Sequence, residues 1–211
     1  MSLADIRRDY CNHQSDLSEL GDDPFQIFDD WLQSAIDAGI PDPTAMTVAT
    51  VDNSGQPSQR IVLLKDVSQG GFVFYTNLES RKAIELEHNN KISLHFPWHY
   101  MERQVKICGT AERVSVADAT KYFLSRPKGS QLAAWASAQS RPVSSRQMLL
   151  QKLEETRQRF SQGNLTLPKF WGGFRVIPHE IEFWQGGPDR LHNRISFSQA
   201  QGQWTKQRLM P

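Results

Sequence analysis

Arg60-Ile61-Val62-Leu63-Leu64-Lys65, answered by Phe72-Val73-Phe74-Tyr75-Thr76-Asn77 and then Ser80-Arg81-Lys82, decides the reading of this chain. Residues 61–64 are a short apolar run suited to a buried strand, and 72–76 a second strand rich in aromatic residues. Residues 66–71 between them end in Gly70-Gly71 and can turn the chain back. After Ser80 the pattern of Ala83, Ile84 and Leu86 with Glu85 and Glu87 predicts a short helix over 80–88, with Ser80 as its N-cap. Arg81 and Lys82 then fall in the first turn, where the helix already carries partial positive charge. A phosphate there would resolve the conflict, accepting bonds from free backbone N–H groups and from both side chains. Those two cations alone would suit a solvated surface; Arg60 and Lys65 on the adjoining strand turn the reading toward a phosphorylated ligand.

Outward from that stretch the pattern is mostly strands. Ala45–Val51, then a turn at Asp52-Asn53-Ser54-Gly55, leads into 59–64; strands 72–76, 91–96 and 103–113 follow. Closing strands are expected at 173–177, 180–185, 194–197 and 204–208. Phe25, Phe28, Trp31, Leu32 and Ile36 line one face of a helix over 24–38, ended by Pro41 and Pro43. Further helices are expected at Val116–Ser125, 130–137 and 144–162, and residues 1–23 read as a short helix with an irregular, mobile lead-in. Antiparallel-looking strands with a few inserted helices predict a mainly β fold, a barrel with helical additions, in a single domain over 1–211. A Gly-rich βαβ unit is missing, which argues against a Rossmann fold.

Lys and Arg number 24 against 23 Asp and Glu, so no global basic excess exists to hold a nucleic acid. Phosphate binding must come from local placement of cations, which favours a small ligand. Cys11 and Cys108 are the only cysteines, so neither a disulfide framework nor a zinc site is indicated, and no metal is expected. Cys108, beside Val105 and Ile107, reads as a packed small hydrophobe. The first residues lack the apolar core of a signal peptide, and no apolar run reaches membrane-spanning length, so a cytoplasmic protein without membrane contact is expected.

Three further groups could do chemistry. Tyr122 and Arg126, four apart on one helix face, precede Ser130 at the next helix start; phenol, guanidinium and hydroxyl suit a second phosphate, or an ordinary surface. Arg103-Gln104 and Gln139-Ser140 offer amides that both donate and accept, as a heteroaromatic edge requires; in a strand Arg103 and Gln104 face opposite ways. In Glu182-Phe183-Trp184-Gln185-Gly186-Gly187-Pro188-Asp189-Arg190-Leu191-His192-Asn193-Arg194, an extended chain would put Arg190, His192 and Arg194 on one face. Those three would repel one another unless an anion or an electron-rich ring lay against them, and Trp184 supplies an aromatic surface nearby.

This last segment resembles the signature of the pyridoxine (pyridoxamine) 5′-phosphate oxidase family, and the resemblance runs from Asp42-Pro43-Thr44-Ala45-Met46 to Arg208-Leu209-Met210-Pro211. It implies an FMN-binding split β-barrel that forms a homodimer with FMN held between subunits. By the resemblance Arg60, Ile61, Val62, Leu63, Leu64, Lys65, Tyr75, Thr76, Arg81, Lys82, Gln104, Gln139, Ser140, Trp184 and Arg194 match cofactor positions. Lys65, Tyr122, Arg126 and Ser130 match contacts to the substrate phosphate. Arg190, Leu191 and His192 match positions at the substrate ring, Arg190 and His192 in the catalytic role; Arg7, Arg8, Asp9 and Tyr10 resemble a segment that closes over substrate. Members often carry Asp where this chain has Asn193; if that Asp balances Arg194, one more net positive charge is left near the cofactor.

The implied reaction is FMN-dependent oxidation of pyridoxine or pyridoxamine 5′-phosphate to pyridoxal 5′-phosphate, with O2 as acceptor and H2O2 as by-product. Two separate donor sets fit two phosphomonoesters, cofactor and substrate. The alternatives are another split-barrel flavin oxidoreductase, such as a flavin reductase or phenazine-type oxidase, and a flavin- or pyridoxal-phosphate-binding protein without turnover. The former need not carry Tyr122, Arg126, Ser130 and the Arg190–His192 pair.

Overall fold

Strand pairing, more than helix packing, organises the chain. The computed structural model describes residues 2–6, 8–10, 17–161, 163 and 165–211. Nine strands form one antiparallel sheet: β1 (Ala45–Val51), β2 (Pro57–Leu63), β3 (Asp66–Ser68), β4 (Gly71–Asn77), β5 (Lys91–Trp98), β6 (Arg103–Arg113), β7 (Trp171–Gln185), β8 (Asn193–Ala200) and β9 (Gln203–Arg208). The order is β2-β1-β5-β6-β7-β4-β3, with β8 also on β7 and β9 on β8. The helices are α1 (Pro24–Asp37), α2 (Arg81–His88), α3 (Val116–Ser125), α4 (Lys128–Ala136) and α5 (Arg146–Arg159).

The long strand β7 makes the architecture. One edge pairs with β6 over nearly its whole length, while the other pairs with β4 along 171–176 and with β8 along 180–185. The sheet therefore splits at 177–179. Pro178, which has no N–H to donate, sits there, and the β6 register shifts opposite it between Cys108 and Gly109. Gly109 is required at that point, because a Cβ would collide with the Ile177 carbonyl oxygen. The sequence pattern read 173–177 and 180–185 as two strands; the structure joins them through this irregularity.

The core is aromatic. Phe28 of α1 packs against Phe72 and Phe96 at centroid distances of 4.9 and 5.0 Å, and Trp31 against Phe183 at 5.2 Å. Truncating the fully buried Phe28 to Ala would cost about 3–5 kcal/mol. The start of α1 is fixed by the Asp23 carboxylate, which accepts the Phe25 N–H at 2.9 Å, with Pro24 in the first turn.

Several expectations change. β2 is the sheet edge, paired only with β1, so the run 61–64 is not buried: Ile61 is 72% and Leu63 40% exposed. The segment 66–71 is not merely a turn, since β3 forms a hairpin with β4 through Gln69 and Gly70 at positive φ. Consequently β4 neighbours β3 and β7 rather than β2. Cys108 points away from the Val105 and Ile107 face and is half-buried near Ser93, while Cys11 lies outside the described residues. Among the described residues no helix is long and apolar enough to cross a membrane.

Candidate active site

Arg60 on β2 and Arg81 and Lys82 on α2 converge, but around a carboxylate. The buried Glu85 accepts from Arg81 Nε at 2.7 Å, one helical turn away, and from Ser58 Oγ at 2.8 Å. It also bonds the Thr50 hydroxyl and pairs with Arg60 Nη2 at 3.4 Å. Burial pushes the Glu85 carboxyl up; hydrogen bonds from Thr50, Ser58 and Arg81 and the Arg60 charge outweigh it and hold it below the usual value. The misplaced first-turn Arg81 is thus accommodated by Glu85 and by Asp52 at 3.7 Å. Arg60 also bonds the Thr50 hydroxyl and Ser58 Oγ.

Lys82 differs from its neighbours. It is 7% exposed, and its Nζ donates to three neutral oxygens: Thr76 Oγ1 at 3.1 Å, Gln139 Oε1 at 3.1 Å and Ser80 Oγ at 3.4 Å. Burial, then the charge of Arg60, lowers its pKa to about 8. Ser80 occupies the N-cap position but makes no side-chain cap bond. A buried ammonium with neutral partners beside two arginines is the environment a phosphomonoester would complete, and the donors here fit one. Thr76 and Gln139 are tied to each other at 3.0 Å; Ser140 follows, exposed, with φ 68°.

A second basic pocket lies beyond β4. Tyr75 and Tyr122 stack with centroids 4.0 Å apart at 11°, and both line a cavity of about 420 Å³ shared with Lys65, Lys121 and Arg175. Burial raises both phenol pKa values, so both stay protonated donors. Arg126 caps α3 and lies 4.3 Å over the Trp171 ring, its buried Nη1 without a hydrogen-bond partner among the described residues. Ser130 is in the first turn of α4, half-buried. Tyr122 faces the cavity with Lys65, whereas Arg126 and Ser130 are not in its lining.

The third group is a line of register partners. Gln104 of β6 pairs with Trp184 of β7, which pairs with Arg194 of β8. Gln104 and Trp184 line a cavity of about 340 Å³ with His95, whose Nε2 lies 3.0 Å from Gln104 Oε1. Arg103 faces the opposite side, 4.5 Å over the Trp31 ring, as strand alternation requires. Arg194 is balanced by Glu182, at 2.7 Å, and Asn193 instead accepts from Arg208 at 2.6 Å. The Asn193 substitution therefore leaves no uncompensated charge on Arg194.

Beyond Gly187 the chain is not extended, so Arg190, His192 and Arg194 do not share a strand face. Pro188–Arg190 form a 3-10 turn with Asp189 and Arg190 at positive φ. His192 turns back, and its Nδ1 accepts the Gly187 N–H at 3.2 Å. Burial, then Arg190 and Arg194, lowers its pKa. Arg190 and Leu191 are exposed beside it. Over this turn lies the N-terminal segment: Tyr10 packs on Trp184 at 5.6 Å and His192 at 5.5 Å. Arg8 donates to the His99 carbonyl at 2.9 Å and lies 3.8 Å from Glu102; Asp9 is exposed, and Arg7 lies outside the described residues.

Sequence reasoning named the cations and missed the carboxylates that hold them. Glu85, four residues after Arg81, was findable from helical spacing. Glu182 stands in the quoted signature, but its partners Lys106 and Arg194 become visible only once β6 and β8 flank β7.

Among solved structures, PhzG from Burkholderia lata 383 in complex with tetrahydrophenazine-1-carboxylic acid matches with a TM-score of 0.88 at 27% identity, covering 94% of this chain and 97% of that one. An FMN-binding, pyridoxamine 5′-phosphate oxidase-related protein from Nostoc punctiforme matches in fold, with a TM-score of 0.72 at 13% identity over 91% of this chain and 100% of that one. The divided sheet and these neighbours define a split-barrel protein. The model of the family described as pyridoxamine 5′-phosphate oxidase matches residues 32–160, and that of the pyridoxine 5′-phosphate oxidase C-terminal dimerisation region matches 171–211. Proteins called pyridoxine/pyridoxamine 5′-phosphate oxidase from Alteromonas mediterranea and Pseudoalteromonas translucida are 59% and 57% identical to this chain, covering 100% of each. The chain belongs to the pyridoxamine 5′-phosphate oxidase family.

Proposed function

We propose that this chain oxidises pyridoxine 5′-phosphate or pyridoxamine 5′-phosphate to pyridoxal 5′-phosphate, with FMN as cofactor and O2 as acceptor, and acts as a homodimer. The relatives at 57–59% identity over their whole length carry the name of that activity. The observation that carries the reading is the existence of two basic pockets on either side of β4. One centres on buried Lys82 with Arg60 and Arg81; the other holds Lys65 and Tyr122 with Arg126 nearby. Each suits one phosphomonoester of about −1.5 to −2 charge.

In this reading Arg60, Arg81, Lys82, Thr76, Gln139 and Ser140 hold the FMN phosphate and its approach, with the β2 segment Ile61 to Lys65 and Tyr75 alongside. Gln104, Trp184 and Arg194 address the ring. Bound FMN would supply the two-electron acceptor, which O2 regenerates with formation of H2O2. Lys65, Tyr122, Arg126 and Ser130 fix the substrate phosphate, and the phenol of Tyr122, kept protonated, donates. Arg190 and His192 orient the substrate ring. Because His192 Nδ1 accepts the Gly187 N–H, neutral His192 carries its proton on Nε2 and presents a donor there. Arg8, Asp9 and Tyr10, with Arg7, cover the substrate and exclude water. The exposed Ile61 and Leu63 on an edge strand suit burial against a second copy, in keeping with the dimerisation region matched at 171–211.

The test is oxygen consumption by the FMN-loaded protein on adding pyridoxine 5′-phosphate, with pyridoxal 5′-phosphate assayed in the same tube. Matched oxygen loss and aldehyde formation, absent with unphosphorylated pyridoxine, is expected. A yellow protein that turns over neither phosphorylated substrate would keep the fold and sink the function.

A further inference from the structure

Glu182 has no role in the reading above, yet it is the carboxylate on which the third site is built. The face of the sheet there is a grid of register partners. Gln104, Trp184 and Arg194 form one line across β6, β7 and β8; Lys106, Glu182 and Ser196 form the next. Glu182, 6% exposed, spends one oxygen on each side. Its Oε2 takes Lys106 Nζ at 2.6 Å directly across the ladder, and its Oε1 takes Arg194 Nε at 2.8 Å and Nη2 at 2.7 Å on the diagonal. Arg194 Nη1 then donates to the Met210 carbonyl at 2.9 Å. The guanidinium is thereby pinned from two sides, its plane set by a two-point grip on a single oxygen.

A buried carboxylate with two cations is a poor way to gain stability, because the desolvation of three charges consumes most of their attraction. Its value lies in geometry: an arginine left free on a half-buried strand would sample several rotamers. Glu182 and Lys106 also line the same cavity as Gln104 and Trp184, so the carboxylate sets the local charge as well as the orientation. We propose that Glu182 is a positioning residue that acts through Arg194, holding its guanidinium in the orientation that the cofactor ring requires. This rests on the assignment of FMN to the Gln104–Trp184–Arg194 line.

The experiment is a double-mutant cycle on FMN binding, with E182Q, R194A and the double variant, each checked for an intact thermal melt. E182Q keeps size and hydrogen bonding but removes the charge; E182D keeps the charge. E182Q is expected to weaken FMN binding about tenfold, and to add nothing in the R194A background, as coupled neighbours do. The midpoint potential of bound flavin should move positive in E182Q, because one negative charge is lost beside two cations, and return toward the starting value in E182D. An equal loss in both backgrounds would overturn the proposal, as would unchanged affinity and potential in E182Q. If E182Q melts early, the E182D affinity and potential decide: values matching E182Q rather than the unsubstituted protein would count against it. An unsubstituted chain that does not bind FMN would overturn the cofactor assignment itself, and this inference with it.

Discussion

Tyr10 and His192 sit edge to face, ring centroids 5.5 Å apart at 79°, and Trp184 touches both rings, at 5.6 Å from Tyr10 and 4.6 Å from His192. The N-terminal segment is thus docked on the turn that follows the signature strand. Gly186 makes the docking possible: a Cβ there would lie 2.8 Å from Tyr10 Cγ. Tyr10→Ala and Gly186→Ala should therefore share a phenotype. An aromatic pair contributes about 0.5–1.5 kcal/mol, so KM for the phosphorylated substrate should rise by roughly twofold to tenfold. FMN affinity should stay unchanged. A substituted Gly186 with normal KM would show that Tyr10 does not cover the substrate.

Lys82 gives a pH dependence with a defined sign. Its pKa is lowered to about 8 from 10.5, whereas the unfolded chain stays protonated up to the higher value. Between those limits the unfolded chain binds more protons, so the Lys82 contribution makes the ligand-free protein more stable as pH rises through that window. FMN phosphate favours the charged amine, so the Kd for FMN should rise above pH 8, by up to about tenfold per unit. Fluorescence titrations from pH 7 to 10 should show this slope in the native chain and lose it in Lys82→Gln. The same slope in both would remove Lys82 from the phosphate site.

Arg126 has a buried nitrogen without a partner and a guanidinium resting on Trp171. A charge-assisted bond to a phosphate contributes about 1.5–3 kcal/mol, so Arg126→Ala should raise KM for pyridoxine 5′-phosphate on the order of tenfold to a hundredfold. The thermal midpoint should shift little, since only a cation–π contact of about 0.5–1 kcal/mol is lost. Steady-state kinetics paired with a melt would separate the two. A large stability loss with an unchanged KM would make Arg126 structural.

His192 is held neutral by burial and by the Arg190 and Arg194 charges, which keeps its Nε2–H donor form to lower pH. Removing Arg190 should raise the His192 pKa toward its ordinary 6.5, moving the acid limb of kcat/KM to higher pH. Both Arg190→Ala and His192→Ala should slow oxidation far more than they weaken FMN binding. An acid limb that does not move in Arg190→Ala would sever the pair.

Much of this was readable from residue order. The aromatic run of β4, the α1 stripe of Phe28 and Trp31, and the bounds of β1, β6 and α3 follow local periodicity, which side-chain burial then enforces. The run 61–64 misled because four apolar residues look alike on a central strand and on an edge; only pairing shows that β2 has a single neighbour. Arg190, His192 and Arg194 misled for a related reason. Their alternate spacing suggests a strand, but Gly187 and Pro188 open a turn with two residues at positive φ, and His192 bonds back to Gly187.

The sequence by itself determined which chemical groups exist: two sets of cations, a strand-forming alphabet around them, and a family signature over residues 181–194. Tertiary structure decided which charges neutralise which. Glu85 gathers Arg60 and Arg81, Glu182 gathers Lys106 and Arg194, and Lys82 is left among neutral oxygens. The reason is distance. Periodicity acts over a few residues, so it fixes the faces of strands and helices. Electrostatic pairing acts between strands far apart in the chain, and it exists only after β7 has split its edge between β4 and β8.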